Sequence, residues 1–215
     1  MSDSPLSTHA GPIAIIAGGL FALAHAAMFI VGDPSDLVAM MTDPLFRVFN
    51  AAYAVAFPLL LIALVALYWR QASQAGLFGA VAFCTALTGT VGLGGDMWFE
   101  GFAVPWLAEV TPAVISAGPA GGYHVTAAVV SFVLFSLGWI LFGLASFRSR
   151  AFPRGLSVAL AVGGLIGFWA GTPPWGVALG LAVAAVGIWL IRHRQTDQGV
   201  QAPRVAEPVA AAANR

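Results

Sequence analysis

The chain has 215 residues, of which 60% are hydrophobic and 8% charged, with a formal net charge of zero and a mean hydropathy of +0.89. A water-soluble domain carries roughly 25% charged residues, so this composition excludes an ordinary soluble protein and points to one that lives in a lipid bilayer. All nine basic residues are Arg, and they form no patch of the kind that reads phosphates along a nucleic acid, so no nucleic-acid partner is expected.

The apolar runs recur at about 20 residues, the length at which a helix crosses a hydrocarbon core of about 30 Å, and not at the length of barrel strands. The expected fold is all-α: a polytopic membrane helix bundle with six transmembrane helices. Residues 1–11, MSDSPLSTHAG, make a short N-terminal tail. The first span, 12–32, contains Ala24-His25-Ala26, which superficially looks like the end of a signal peptide; the tail before it has no Arg or Lys, so the span is read as retained. DPSDLVAMMTDPLFR leads into the second span, 48–69, and WRQASQAG leads out of it. The third span, 76–96, ends at GGDMWFE and is followed by EGFAVPWLAEVTPAVISAGPAGG, read as a loop. The fourth is 123–146. After FRSRAFPRG come the fifth, 155–172, and the sixth, 174–191, joined at TPPW. The tail 192–215 is rich in Gln, Pro, Ala and charge and reads as disordered. The six-helix domain is thus 12–191.

Cytoplasmic loops carry the excess of positive charge. Arg70, Arg148, Arg150, Arg154, Arg192, Arg194, Arg204 and Arg215 all fall on one side of this threading, and Arg47 alone falls on the other, beside Asp33, Asp36 and Asp43. Both termini are therefore expected in the cytoplasm of a bacterial cell, with the protein in its inner membrane. Trp98, Trp106 and Trp175 match an interfacial aromatic belt.

On this threading the polar residues gather towards the outer end. His25 lies in the outer half of the first span, Arg47, Asn50 and Tyr53 open the second, Asp96 and Glu100 close the third, and His124 opens the fourth. Thr85, Thr88, Gly92, Asp96 and Glu100 recur at three- and four-residue steps, which predicts a stripe facing the bundle. His124, Ala127, Ser131 and Gly138 make a similar face. Ionisable groups in a membrane face an interior, a cavity or one another. His25, Arg47, Asn50, Asp96, Glu100 and His124 are accordingly the candidate ligand or ion-pair cluster: either a pocket for a small ligand, or a clamp in which Arg47 answers the two acids.

The rival class is a membrane enzyme that uses Asp96 and Glu100 with His25 and His124. No cofactor is called for. A zinc or non-haem iron shell drawn from His25, Asp96, Glu100 and His124 is the sharpest alternative, without HExxH, ExxH or HxH spacing to support it. Haem held between His25 and His124 would need opposed rings at one depth. No GxSxG turn supports a hydrolase. Cys84, the single cysteine, excludes an internal disulfide and reads as a small buried hydrophobe. Gly163, Gly167 and Gly171, and again Gly176 and Gly180, recur at the four-residue spacing that lets helix backbones approach; packing within the chain is the expected use, helix-mediated homo-oligomerisation the alternative.

The segments GDMWFEGFAVPWLAE and GWILFGLASFRSRAFPRGLSVALAVGGLIGFW resemble a group of bacterial six-helix multi-pass membrane proteins that share a GDxWFE…PWLA segment. The resemblance covers the third to fifth spans. It implies the fold and brings no activity, so no catalytic residue comes with it. The expected role is that of an integral membrane protein with a small-ligand, sensory or accessory function at its extracytoplasmic side.

Overall fold

A computed structural model describes residues 5–33, 35–117, 122–170 and 172–200, with side chains for all of these except 5–7, 124 and 194–200. The described residues are all-helical and contain no strand: α1 Pro5–Val31, α2 Leu37–Thr42, α3 Pro44–Val110, α4 Pro112–Ser116, α5 Tyr123–Ser149, α6 Arg154–Ile166, a 3-10 turn at Gly167–Trp169, and α7 Val177–Val200. Three segments are long and apolar enough to cross a membrane, Thr8–Val31, Pro44–Val110 and Val125–Ser149; Arg154–Trp169 and Val177–His193 are shorter apolar helices.

Helix α3 has 67 residues, and at Gly76 its backbone leaves helical geometry, with φ 56° and ψ −156°. Only glycine adopts such angles without strain. The chain reverses there, so α3 is a hairpin of two arms, 44–75 and 77–110. Tyr68 stacks on Phe83 at 4.0 Å near the corner, Gly94 lies against Phe57 halfway along, and Asn50 reaches the backbone of Glu100 near the open end.

Contacts close the helices into a ring: α1 on α3, α3 on α5, α5 on α6, α6 on α7 and α7 back on α1. Its core is a column of fully buried rings in which Phe21, Phe57, Phe135, Trp139 and Phe142 follow one another at centroid distances of 5.0 to 6.4 Å. Trp139 satisfies its indole N–H on Thr90 Oγ1 at 3.2 Å. Small residues allow this density. A Cβ on Gly180 would lie 2.6 Å from both the Ala22 nitrogen and the Gly18 oxygen, so α7 rests on the backbone of α1. Gly163 meets Leu179 and Gly176 meets the His25 ring. Gly163, Gly176 and Gly180 of the glycine repeat thus pack inside the chain; Gly171 lies outside the described residues.

Several boundaries differ from the hydropathy reading. Helix begins at Pro5, within the expected tail, and α7 continues past Arg192 to Val200, where disorder was expected; residues 201–215 lie outside the described ones. The third apolar run does not end at 96. It continues to Val110, because Met97, Gly101, Val104, Pro105 and Ala108 form a buried stripe at helical spacing that the average over Asp96, Trp98 and Glu100 conceals. The buried stripe below it is Ala82, Ala86, Gly89, Leu93 and Met97, one residue away from the expected Thr85-to-Glu100 stripe. Thr85 and Thr88 instead turn their hydroxyls to the carbonyls of Val81 and Cys84 in their own helix, each at 2.9 Å, which lets Thr88 sit at the surface. Cys84 is exposed rather than buried. On α5, Ala127 is exposed and the buried face starts at Phe135.

Candidate functional site

The end of the bundle opposite Gly76 is shaped by short capped elements. Asp36 accepts the Ala39 N–H at 2.9 Å and starts α2, and Asp43 accepts the Phe46 N–H at 2.8 Å and starts α3, with Pro44 at its first position. Two of the acids in this loop therefore cap helices. Asp33, fully exposed, accepts the Ser35 N–H at 2.9 Å, which holds its carboxyl below the usual carboxylate range. These caps set α2 across the open end of the α3 hairpin.

Arg47 fastens it there. Its Nε donates to the Met41 carbonyl at 2.9 Å, and its Nη2 meets Glu109 Oε1 at 2.6 Å and the Pro105 carbonyl at 3.5 Å. One guanidinium thus ties α2 to the far end of the returning arm. The ion pair is half-exposed, the class that contributes about 0–1 kcal/mol; its geometric effect is the larger one. Glu109, an acid outside the expected cluster, answers Arg47 here.

Under this strap lies a cavity of about 550 Å³. Met28, Phe29 and Gly32 line it from α1, Met40 and Met41 from α2, and Phe46, Asn50 and Tyr53 from the outgoing arm of α3. Met97 and Glu100 line it from the returning arm, and Thr172 and Pro173 close it from the turn before α7. The chain has five methionines, and the four after Met1 all line this space. Polar groups are few. Asn50 is buried and donates through Nδ2 to the Glu100 carbonyl at 3.0 Å, which fixes it between the two arms.

His25 stands behind the cavity wall. It is fully buried, with Nδ1 2.8 Å from the Phe21 carbonyl and Nε2 2.9 Å from that of Ala170. The buried hydroxyl of Tyr53 donates to the same Ala170 oxygen, and its ring meets the His25 ring edge-on at 4.7 Å. The reason lies in the length of α6. That helix with its 3-10 turn ends at Trp169, and Ala170, which follows it, is wholly buried. A helix end leaves carbonyls without partners, and a buried one needs donors from elsewhere. His25 and Tyr53 supply them. Two carbonyls face the two ring nitrogens; an imidazolium satisfies both and a neutral ring one at a time.

Of the six residues in the expected cluster, Asn50 and Glu100 line the cavity and Arg47 straps its rim. His25 is turned to backbone carbonyls. Asp96, half-buried, sits one turn from Glu100 on the returning arm, outside the cavity lining. His124 is the second residue of α5, and its side chain lies outside the described ones, so a pair of opposed His rings falls outside them too. Among the described residues no three His, Cys, Asp or Glu side chains gather in a group that could hold a metal ion. The methionines, Glu109 and Thr172 had no part in the sequence-derived cluster. The signal that could have found the first was the placement of every internal Met within one turn or loop of the outer end. No protein-family model, curated protein or solved structure matches the chain.

Proposed function

We propose that the protein is a multi-pass component of a bacterial inner membrane that binds a small amphiphilic molecule in the cavity at its extracytoplasmic end. Six rods cross the bilayer in this reading: α1, the two arms of α3, α5, α6 with its 3-10 turn, and α7, with both termini in the cytoplasm. The segregation of Arg supports the orientation, and exposed Trp98, Trp106 and Trp175 suit the outer interface. At about 1.5 Å per residue, Tyr53 and Glu100 stand about 35 Å from the corner at Gly76. That distance exceeds the hydrocarbon thickness of about 30 Å. Glu100 and Arg47 then lie at the level of the outer headgroups, where charge is tolerated.

The observation that carries the binding reading is the cavity lining. Its volume of about 550 Å³ suits a small molecule. Unbranched thioether side chains adapt to an irregular apolar shape, while Asn50, Glu100 and Thr172 supply the few polar groups of the lining. The matching ligand has an apolar body and one hydrogen-bonding head group.

Filling the cavity with Met40→Trp tests this. Native mass spectrometry of protein purified from its own membrane is expected to detect a bound small molecule on the wild type and none on the folded variant. A species retained equally by both, or none on either, would end the binding reading. The threading has its own test: in a Cys84→Ser background, cysteines at Ser149 and Ala117 are expected to label from opposite faces of the membrane. Labelling of both from one face would overturn the six-span threading.

A further inference from the structure

A second recess lies at the Gly76 end of the bundle, bordered by Arg150, Phe152, Pro153, Arg154, Trp189 and His193, with a volume of about 470 Å³. We propose that it binds the phosphate of an anionic phospholipid. Two guanidinium groups border it, and among the described residues no acid does. Arg150 is placed by the left-handed end of α5, with φ 56°, and Arg154 begins α6. The N-cap of α6 is Pro153, which supplies no side-chain cap, and both Pro153 and Arg154 at the start of this 13-residue helix border the recess. Phe152, buried, and Trp189 form an edge-to-face pair at 6.2 Å that makes the floor, and His193 lies on Trp189 at 4.4 Å with its Nδ1 3.0 Å from the Trp189 carbonyl. Two guanidinium groups beside an aromatic pair suit a phosphate, whose oxygens match the guanidinium fork.

The neighbouring surface identifies a lipid. Below Arg154, at helical spacing on α6, Val158, Val162 and Leu165 are 48%, 45% and 63% exposed. Phe147, whose ring lies 5.9 Å from the Arg154 guanidinium, is exposed beside them. A head group held at Arg150 and Arg154 therefore has an apolar track for its acyl chains along α6. A free phosphate would leave that track unused. The Arg-rich end is the cytoplasmic one in the threading above, and the inner leaflet is where anionic lipids meet basic recesses between helices.

The test uses the full chain in a neutral detergent, with phosphatidylglycerol, phosphatidylcholine and inorganic phosphate as separate additives, read by thermal unfolding and native mass spectrometry. Phosphatidylglycerol is expected to bind and raise the unfolding temperature, and the other two are not. Arg150→Asn with Arg154→Gln, where Asn keeps the left-handed backbone accessible, is expected to weaken phosphatidylglycerol binding about thirtyfold. Arg70→Gln with Arg148→Gln removes the same charge from the same end and is expected to leave it within about threefold. If the first variant does not fold, His193→Glu places a negative charge in the recess and is expected to abolish binding. Equal losses in the two double variants, unchanged binding in the recess variants, or stabilisation by inorganic phosphate alone would overturn the proposal. None of these outcomes depends on the cavity at the other end.

Discussion

His25→Ala is expected to lower the unfolding temperature of the detergent-solubilised protein by about 10 °C, a loss of about 3 kcal/mol for a chain of this size. Two terms add. The ring fills space between Phe21, Tyr53 and Gly176 that no neighbour can close, and the Ala170 carbonyl loses one of its two donors. Tyr53→Phe removes the other donor and is expected to cost about 1 kcal/mol alone. Because both donors serve one oxygen, the double variant should depart from additivity, which a mutant cycle measures. A residue whose task is ligand or metal binding would behave otherwise, leaving stability intact. An unfolding temperature unchanged in His25→Ala would remove the account of the α6 end given above.

Gly180→Leu is expected to have the larger effect and to leave little folded protein. Even the Cβ of an alanine would stand 2.6 Å from two backbone atoms of α1, and backbone cannot move aside as a flexible side chain can. Gly180→Ala should already cost about 1–3 kcal/mol. Gly95→Ala is the matched control: nothing lies within 4 Å of its Cβ, so replacing glycine inside a helix should stabilise by up to about 1 kcal/mol. Size-exclusion chromatography separates the rival use of these glycines. Gly180→Leu that folds normally and shifts only the oligomeric state would assign the face to association between chains.

The all-helical class was legible because it rests on composition and run length, which survive errors of a few residues. Helix ends were less so. Asp96 and Glu100 depress a hydropathy average just where Met97, Gly101 and Val104 continue the buried stripe, so helix 77–110 is seen only by following spacing past the charges. The choice between two parallel stripes one residue apart on that arm could not be read from spacing at all. Packing against Gly138 and Phe135 of α5 decides it, and those are distant in sequence. The same holds at the end opposite Gly76. Depth placed Asn50, Arg47 and Glu100 near one another, but not the partner of Arg47, because Glu109 had been assigned to a loop rather than to a helix reaching back towards α2. His25 was marked as polar at the right level; that it meets Ala170 depends on α6 stopping short, a tertiary fact with no local signature.

The corner at Gly76 bears on how the protein is made. With only Gly76 non-helical between the arms of α3, the polar stretch before it is itself helical and no loop separates one apolar segment from the next. In the six-span threading, the nascent chain must therefore deliver 44–110 as a pre-bent pair, its two halves leaving the translocation channel together. The earlier helix α1 cannot finish packing until that pair has arrived, and it must wait longer still for α7, which closes the ring against it and is made after all the other described helices.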